Sequence, residues 1–143
     1  MGHILTVNEV AYVAYELARR ILHWDEPIPP FNTRFPNILE SCLATPFQSF
    51  GGKALYPRFI EKASILFYLM IKNHPFKNGN KRIAMTTMLY FLMQHKKWLR
   101  VNNFQFYKFT IWVAESDAVL RDSTVDAIEQ FISLYLVNFD EKE

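Results

Sequence analysis

Two long apolar stretches joined by one short polar segment constrain this chain more than any other feature. Residues 58–73 and 81–96 both have helical character, and within them residues 65–71 and 88–93 contain no polar side chain apart from a tyrosine hydroxyl in each. Helices that are apolar on most sides lie in the interior of a domain. We therefore predict two central helices, with the polar residues 74–80 forming the loop between them at the edge of the core.

The remaining sequence predicts more helices and almost no strands. Thr6 and Glu9 have capping-box spacing, and Leu5 and Val10 are placed as a hydrophobic staple, so a helix starts there. Its predicted apolar face consists of Val10, Val13, Ala14, Leu17 and Ile21. Prolines make residues 24–35 an irregular connector. Shorter helices are expected at residues 37–44, 103–114 and 125–137, which gives an all-α fold.

The last predicted helix has a defined apolar face and a candidate cap. Asp122 or Ser123 is placed to cap its start. The face expected to be buried comprises Ile128, Phe131, Ile132 and Tyr135. The aromatic group Phe104, Phe106, Tyr107 and Phe109 has helical spacing and is assigned to the core in preference to a base-stacking surface.

Residues 45–57 differ in character from the helices on either side. Pro46, Pro57 and the pair Gly51-Gly52 punctuate a mixture of polar and aromatic residues. This pattern predicts a surface loop or a small hairpin, and a turn is the simplest interpretation of the two glycines.

Size and charge exclude several classes of protein. The 143 residues, half of them hydrophobic, suit one domain over residues 1–143. The net charge of +2 comes from scattered cations, so direct nucleic-acid binding is not expected. The single Cys42 allows no internal disulfide, and no apolar stretch reaches the length of a membrane span. We expect a cytoplasmic protein. His3, His23 and His95 are too dispersed to suggest a zinc site.

The loop after the first central helix has the residue types of a phosphate site. Gly79 allows a close backbone approach. The following helix start directs N–H groups and a positive dipole end towards the loop, where Lys81 and Arg82 add charge. His74 can accept a proton near neutral pH. The simpler alternative is a helix-capping histidine with solvated cations, but the whole constellation favours a nucleotide-dependent transferase.

The nine residues from His74 to Arg82 read H-P-F-K-N-G-N-K-R. They closely resemble the signature of the Fic/Doc superfamily, whose Fic branch reads H-x-F-x-(D/E)-G-N-G-R-x-x-R. Residues 39–57 and the helix after them are similar to the flap and core of that family. The resemblance implies a compact helical domain with a central helix–loop–helix and a small flap hairpin.

Two departures from the Fic signature match the death-on-curing (Doc) branch. Lys81 stands where the Fic branch has its second glycine, and Met85 stands where it has its second arginine. The Doc resemblance implies that ATP binds in the inverted sense and presents its γ-phosphate. The expected activity is phosphorylation of a threonine in a translation elongation factor by a toxin that a small antitoxin neutralises.

The resemblance also implies roles for individual residues. His74 would be the base, Phe76 would anchor the loop, and Asn78 would be a weak ligand for Mg²⁺, since the family often has Asp or Glu there. The nucleotide phosphates would be held by Gly79, Asn80, Lys81 and Arg82. The backbone at Gly51, Gly52 and Lys53 would bind the substrate segment by strand addition.

The sequence is also compatible with two other functions. One is transfer of AMP to a protein hydroxyl (AMPylation), as in the Fic branch, and Lys81 is the residue against it. The other is a binding module with little catalytic activity, for which the neutral Asn78 leaves room. The inhibitory motif (S/T)-x-x-x-E-(G/N) of Fic-type proteins is not found in this sequence.

Overall fold

A computed structural model of the chain describes residues 4–20 and 27–139. The described residues are mainly helical, which confirms the predicted all-α class. Helix α1 comprises three consecutive segments, an α-helical Val7–Glu9, a π-helical Val10–Ala14 and an α-helical Tyr15–Ala18. The other helices are α2 (Pro36–Ala44), α3 (Phe59–Lys72), α4 (Asn80–Gln94), α5 (Asn103–Glu115) and α6 (Arg121–Tyr135).

Helices α3 and α4 are the centre of the molecule, as their composition predicts. Residues 62–71 of α3 and 82–88 of α4 are buried throughout, and the two helices pack extensively on each other. Phe67 of α3 stacks on Phe106 of α5, which in turn stacks on Phe131 of α6, with ring centroids 5.8 and 5.9 Å apart. Within the described part of the chain, no helix is both long and apolar enough to cross a bilayer.

Helix α1 begins with the predicted capping box. The Glu9 backbone N–H donates to Thr6 Oγ1 at 3.1 Å, and the Thr6 N–H donates to Glu9 Oε1 at 2.9 Å. Leu5 and Val10, the predicted staple, are both buried. Leu17 is 39% exposed, so it does not belong to the buried face, and Ile21 lies outside the described residues. The π-helical segment shifts the helical register, which the sequence pattern did not reveal.

The flap region folds as a small hairpin, in line with the prediction. Strand β1 (Ser49–Phe50) pairs antiparallel with β2 (Lys53–Ala54). Gly51 and Gly52 form the turn with φ of 60° and 80°. Two consecutive residues at positive φ are what a type I′ turn requires, and glycine adopts them without steric cost.

The connector prediction is confirmed for residues 27–35. Apart from one 3-10 turn at Phe31–Thr33, these residues are irregular. Residues 24–26 lie outside the described part of the chain. Proline at the first position of α2 ends the connector, because its fixed φ suits a helix start and its missing N–H is not needed there.

The end of the chain differs from the prediction in two respects. Helix α6 begins at Arg121, before either predicted cap, because a 3-10 turn at Ala118–Leu120 leads directly into it. No side chain caps it, and Ser123 Oγ donates to the Leu120 carbonyl instead. The helix ends at Tyr135, since the next residues form β4 (Leu136–Asn138), which pairs antiparallel with β3 (Lys97–Leu99). Neither strand was predicted from the sequence.

The aromatic face of α5 and the apolar face of α6 mostly follow the prediction. Phe106 and Tyr107 are buried and Phe109 is half-buried, but Phe104 is exposed and does not belong to the core. On α6, Ile128 and Ile132 are buried, whereas Phe131 and Tyr135 are half-buried at the edge of the core.

Candidate active site in the loop between the central helices

His74 lies two residues beyond the end of α3, in an unusual backbone conformation. Its φ is 50°, a left-handed conformation that histidine adopts more readily than most residues other than glycine. The side chain is exposed, and its Nδ1 lies 3.5 Å from Asn80 Nδ2. That distance is too long for a strong hydrogen bond. The imidazole therefore remains accessible from solvent and is not locked by a close partner at that nitrogen.

Asn80 is the residue that holds the loop closed. Its Oδ1 accepts from the Phe76 backbone N–H at 2.9 Å, and its Nδ2 donates to the Phe76 carbonyl at 2.8 Å. The side chain is 7% exposed, so these two bonds satisfy buried backbone groups. Asn80 therefore stabilises the turn through these two hydrogen bonds, independently of any contact with a ligand.

Phe76 fixes the loop to the core. It is buried, and its ring centroid lies 5.8 Å from that of Phe31 and 6.2 Å from that of Tyr15. The Phe35 N–H donates to the Pro75 carbonyl at 2.9 Å, which ties the start of α2 to the same loop. Residues from α1, the connector and α2 thus converge on the two residues that follow His74.

Gly79 caps α4 with its backbone and not with a side chain. Its φ is 73°, and as glycine it has no side chain with which to cap the helix. A Cβ atom on Gly79 would lie 2.5 Å from Ile28 Cδ1 and 3.3 Å from the Pro27 carbonyl oxygen. Glycine is required here for two reasons, its backbone conformation and the close approach of the connector.

The polar and charged side chains of the loop and of the first turn of α4 differ in exposure. Lys77 and Asn78 are exposed, and Lys81 is half-buried. Arg82 is only 3% exposed, and its Nη2 donates to the Ala18 carbonyl at the end of α1 at 2.6 Å. The guanidinium predicted to hold phosphate is thus engaged with the protein interior in this conformation.

The loop residues do not form a site for a metal ion held by the chain alone. Among the described residues, no three His, Cys, Asp or Glu side chains come together. At the position where the Fic signature has an acid, the chain offers the exposed amide of Asn78. Mg²⁺ prefers carboxylates and phosphate oxygens, so this set of ligands does not fit a dedicated Mg²⁺ site.

The flap residues lie on a separate element from the loop. Gly51 and Gly52 in the turn of the hairpin and Lys53 at the start of β2 are all exposed, and Phe50 and Leu55 beside them are exposed as well. The hairpin has only two strands, so its outer backbone groups can pair with another extended segment.

The residues of α1 and the connector that pack against the loop and the start of α4 were not predicted from the sequence. Pro27 and Ile28 contact Gly79, Ala18 accepts from Arg82, and the Tyr15 hydroxyl donates to the Pro29 carbonyl. The proline cluster in the connector was the available signal, but it indicates an irregular segment without showing where that segment lies.

Comparison with known proteins identifies a family. Residues 4–92, more than half of the chain, match the model of the Fic/DOC family. No curated protein and no solved structure matches the chain. The matched range contains α1 to α3, the hairpin, the whole loop and most of α4. Members of this family typically transfer nucleotide-derived groups to proteins, so the match supports a protein-modifying enzyme. The chain belongs to the Fic/DOC family.

Proposed function

We propose that this chain is a Doc-like toxin that transfers the γ-phosphate of ATP to a hydroxyl group of a target protein. The target hydroxyl is a threonine, and a translation elongation factor is the class of target that the Doc resemblance implies. The observation that carries the proposal is the loop itself. It presents an exposed His74 next to the start of a buried helix, with Lys81 in the first turn where the Fic branch has glycine.

His74 has the base role in this proposal. The target oxygen forms a bond to the γ-phosphorus, the bond from that phosphorus to the bridging oxygen breaks, and ADP leaves. His74 accepts the proton that the hydroxyl loses. Because phosphoryl transfer depends mainly on positioning and charge stabilisation, the exposed imidazole and the nearby cation are the groups that matter most.

Lys81 decides the orientation of the nucleotide in this proposal. As the Doc resemblance implies, its side chain would fill the space that the glycine of the Fic branch leaves open for an α-phosphate, and its positive charge lies in the first turn of α4. Mg²⁺ enters with ATP, bound to the phosphate oxygens, since the chain supplies only the Asn78 amide.

The β1–β2 hairpin is the proposed docking element for the target. A segment of the target protein adds as a strand to the exposed edge, and the backbone at Gly51, Gly52 and Lys53 holds it in register. A small antitoxin protein that occupies the hairpin and the groove beside it would block this step. Both partners meet the toxin in the cytoplasm.

The experiment that tests the proposal supplies ATP labelled at the γ-phosphate or, separately, at the α-phosphate, together with a cell extract. We expect one labelled protein band with the γ label and none with the α label. Label from the α position only would instead establish AMPylation. Absence of label from both positions, with the loop sequence verified, would leave the binding module as the function.

A second prediction concerns nucleotide orientation. Lys81→Gly removes the cation and reopens the space near the α-phosphate, so γ-phosphate transfer should fall at least about tenfold, the effect of losing one charge-assisted contact. Lys96→Gly is the matched control, because Lys96 is exposed at the far end of α4 with φ of 61°, which glycine accepts readily. Equal transfer rates for Lys81→Gly and the unmodified protein would show that Lys81 does not determine the orientation of the nucleotide.

A further inference from the structure

The β1–β2 hairpin has no buried side chain of its own. Residues 48–55 are all exposed, and each strand contributes only two residues to the pairing. A two-stranded hairpin by itself is at best marginally stable in water. The contacts that hold it in one orientation therefore lie at its two ends, where the chain enters at Phe47 and leaves at Tyr56, both half-buried against the core.

Lys62 of α3 contacts both ends of the hairpin with one ammonium group. Its Nζ donates to the Tyr56 carbonyl and lies over the Phe47 ring, 5.3 Å from the ring centroid. Between these ends, the Leu55 N–H donates to the Gln48 carbonyl at 3.0 Å and closes the hairpin. Lys62 thus joins the entry and the exit of the hairpin and attaches both to the central helix α3.

The environment of Lys62 differs from that of a solvated surface cation. Its side chain belongs to a residue that is only 8% exposed, and among the described residues no carboxylate forms an ion pair with it. Burial of an ammonium group costs free energy unless it finds partners, and here a carbonyl and an aromatic face offset that cost. An apolar side chain at this position would fill the space but would bind neither end of the hairpin.

We propose that Lys62 is a positioning residue that sets the orientation of the hairpin edge to which the target segment adds. This inference rests on the proposed function, since it concerns how the target docks at the same site. Helix α3 continues without a break to Lys72, and His74 lies two residues beyond its end. Lys62 therefore fixes the docking edge to the helix that leads to the proposed base. An edge already held in one orientation loses less entropy when the target binds.

Three variants separate positioning from general stability. Lys62→Met removes the ammonium group and keeps a long apolar side chain, whereas Lys62→Arg keeps a cation that can donate to the carbonyl. Lys72→Met is the matched control, because Lys72 is a half-buried lysine of the same helix whose Nζ donates to the carbonyls of Ala114 and Ser116, outside the hairpin. A melting curve shows whether each variant is folded.

The test measures transfer from γ-labelled ATP to the labelled protein band over a dilution series of a cell extract, and amide hydrogen exchange at Leu55. We expect Lys62→Met to raise the extract concentration for half-maximal labelling about tenfold, the effect of losing one hydrogen bond from a charged group. The maximal rate should fall much less. Exchange at Leu55 should be faster in Lys62→Met, while Lys62→Arg and Lys72→Met should resemble the unmodified protein in both measurements.

The possible failures can be distinguished. If folded Lys62→Met has an unchanged half-maximal concentration, or loses only maximal rate, the positioning role is wrong while the proposed function stands. An equal rise in Lys72→Met leads to the same conclusion. If Lys62→Met does not fold, Phe47→Leu takes its place, since it removes the aromatic face and keeps an apolar side chain; a rise supports the inference and an unchanged value overturns it. If the unmodified protein labels no band, the proposed function fails, and the positioning role inferred from it fails as well.

Discussion

Asn80 shows how a single residue of the loop can serve structure and chemistry together. The signature predicts contact with phosphate, and the structure adds two hydrogen bonds to the Phe76 backbone. No sequence pattern distinguishes these roles, because the bonds span four residues of an irregular turn. The left-handed Gly79 could be anticipated from its residue type, whereas the left-handed His74 could not.

Removing the Asn80 side chain tests its bracing role. Asn80→Ala leaves the Phe76 N–H and carbonyl buried without these partners, so the free energy of unfolding should fall by about 1–3 kcal/mol. Asn103→Ala is the control, because Asn103 is also the first residue of a helix but is exposed. Urea denaturation measures both changes. A similar small change in the two variants would mean that the hydrogen bonds to Phe76 do not stabilise the loop.

Arg82 marks the limit of prediction at the residue scale. Its place in the motif suggests a ligand for phosphate, yet it also donates to the Ala18 carbonyl, far away in sequence. Every residue has a backbone carbonyl, so the amino-acid sequence does not show which carbonyl at a helix end will accept a hydrogen bond from Arg82. Such a contact can be found only once the helices have been placed.

At the scale of elements, the sequence predicted best those helices and turns that are determined by residues close together in the chain. The capping box of α1, the glycine turn of the hairpin and the two apolar helices α3 and α4 all form as predicted. The strands β3 and β4 were missed because each has three residues and its partner lies far along the chain. The start of α6 was missed because a 3-10 turn replaces a side-chain cap.

The Thr6 cap provides a prediction for helix α1. Thr6→Ala removes the oxygen that accepts from the Glu9 N–H, so the free energy of unfolding should fall by about 1 kcal/mol. Thr6→Ser keeps a hydroxyl and should retain most of the stability. Thermal or urea denaturation of the two variants gives the comparison. Equal stability of Thr6→Ala and Thr6→Ser would show that the capping bond contributes nothing in this helix.

At the scale of the whole molecule, the hydrophobic pattern was sufficient to predict the fold class. The loop motif was sufficient to identify the family. The relative placement of α1 and the connector over the loop was not predictable, because it depends on contacts between segments that are each unremarkable in sequence.

Cys42 links global stability to pH. Burial raises the pKa of the Cys42 thiol to about 12, and a side-chain hydrogen bond with Asn73 offsets part of that rise. An exposed thiol in the unfolded chain has a pKa of about 8.5. Between these two values the unfolded chain releases a proton that the folded chain keeps, so the free energy of unfolding should fall as pH rises above the unfolded pKa.

Urea denaturation at a series of alkaline pH values measures this slope. Burial also raises the pKa values of Tyr15 and Tyr90, which adds to the decline at the upper end of the range. Cys42→Ala should be less stable than the unmodified protein at neutral pH. Its free energy of unfolding should, however, fall less between neutral pH and a pH just above about 8.5, the pKa of the unfolded thiol. A parallel decline in both proteins would mean that Cys42 is not the group responsible.

The most direct test of the account is transfer from γ-labelled ATP by His74→Asn beside the unmodified protein. Asparagine tolerates the left-handed backbone at this position, so the fold and melting temperature should be preserved while the base is lost. We expect transfer to the protein target to fall at least about 100-fold, the usual contribution of a general base. Undiminished γ-phosphate transfer by a folded His74→Asn protein would contradict the central claim that this loop is a phosphotransferase site with His74 as its base.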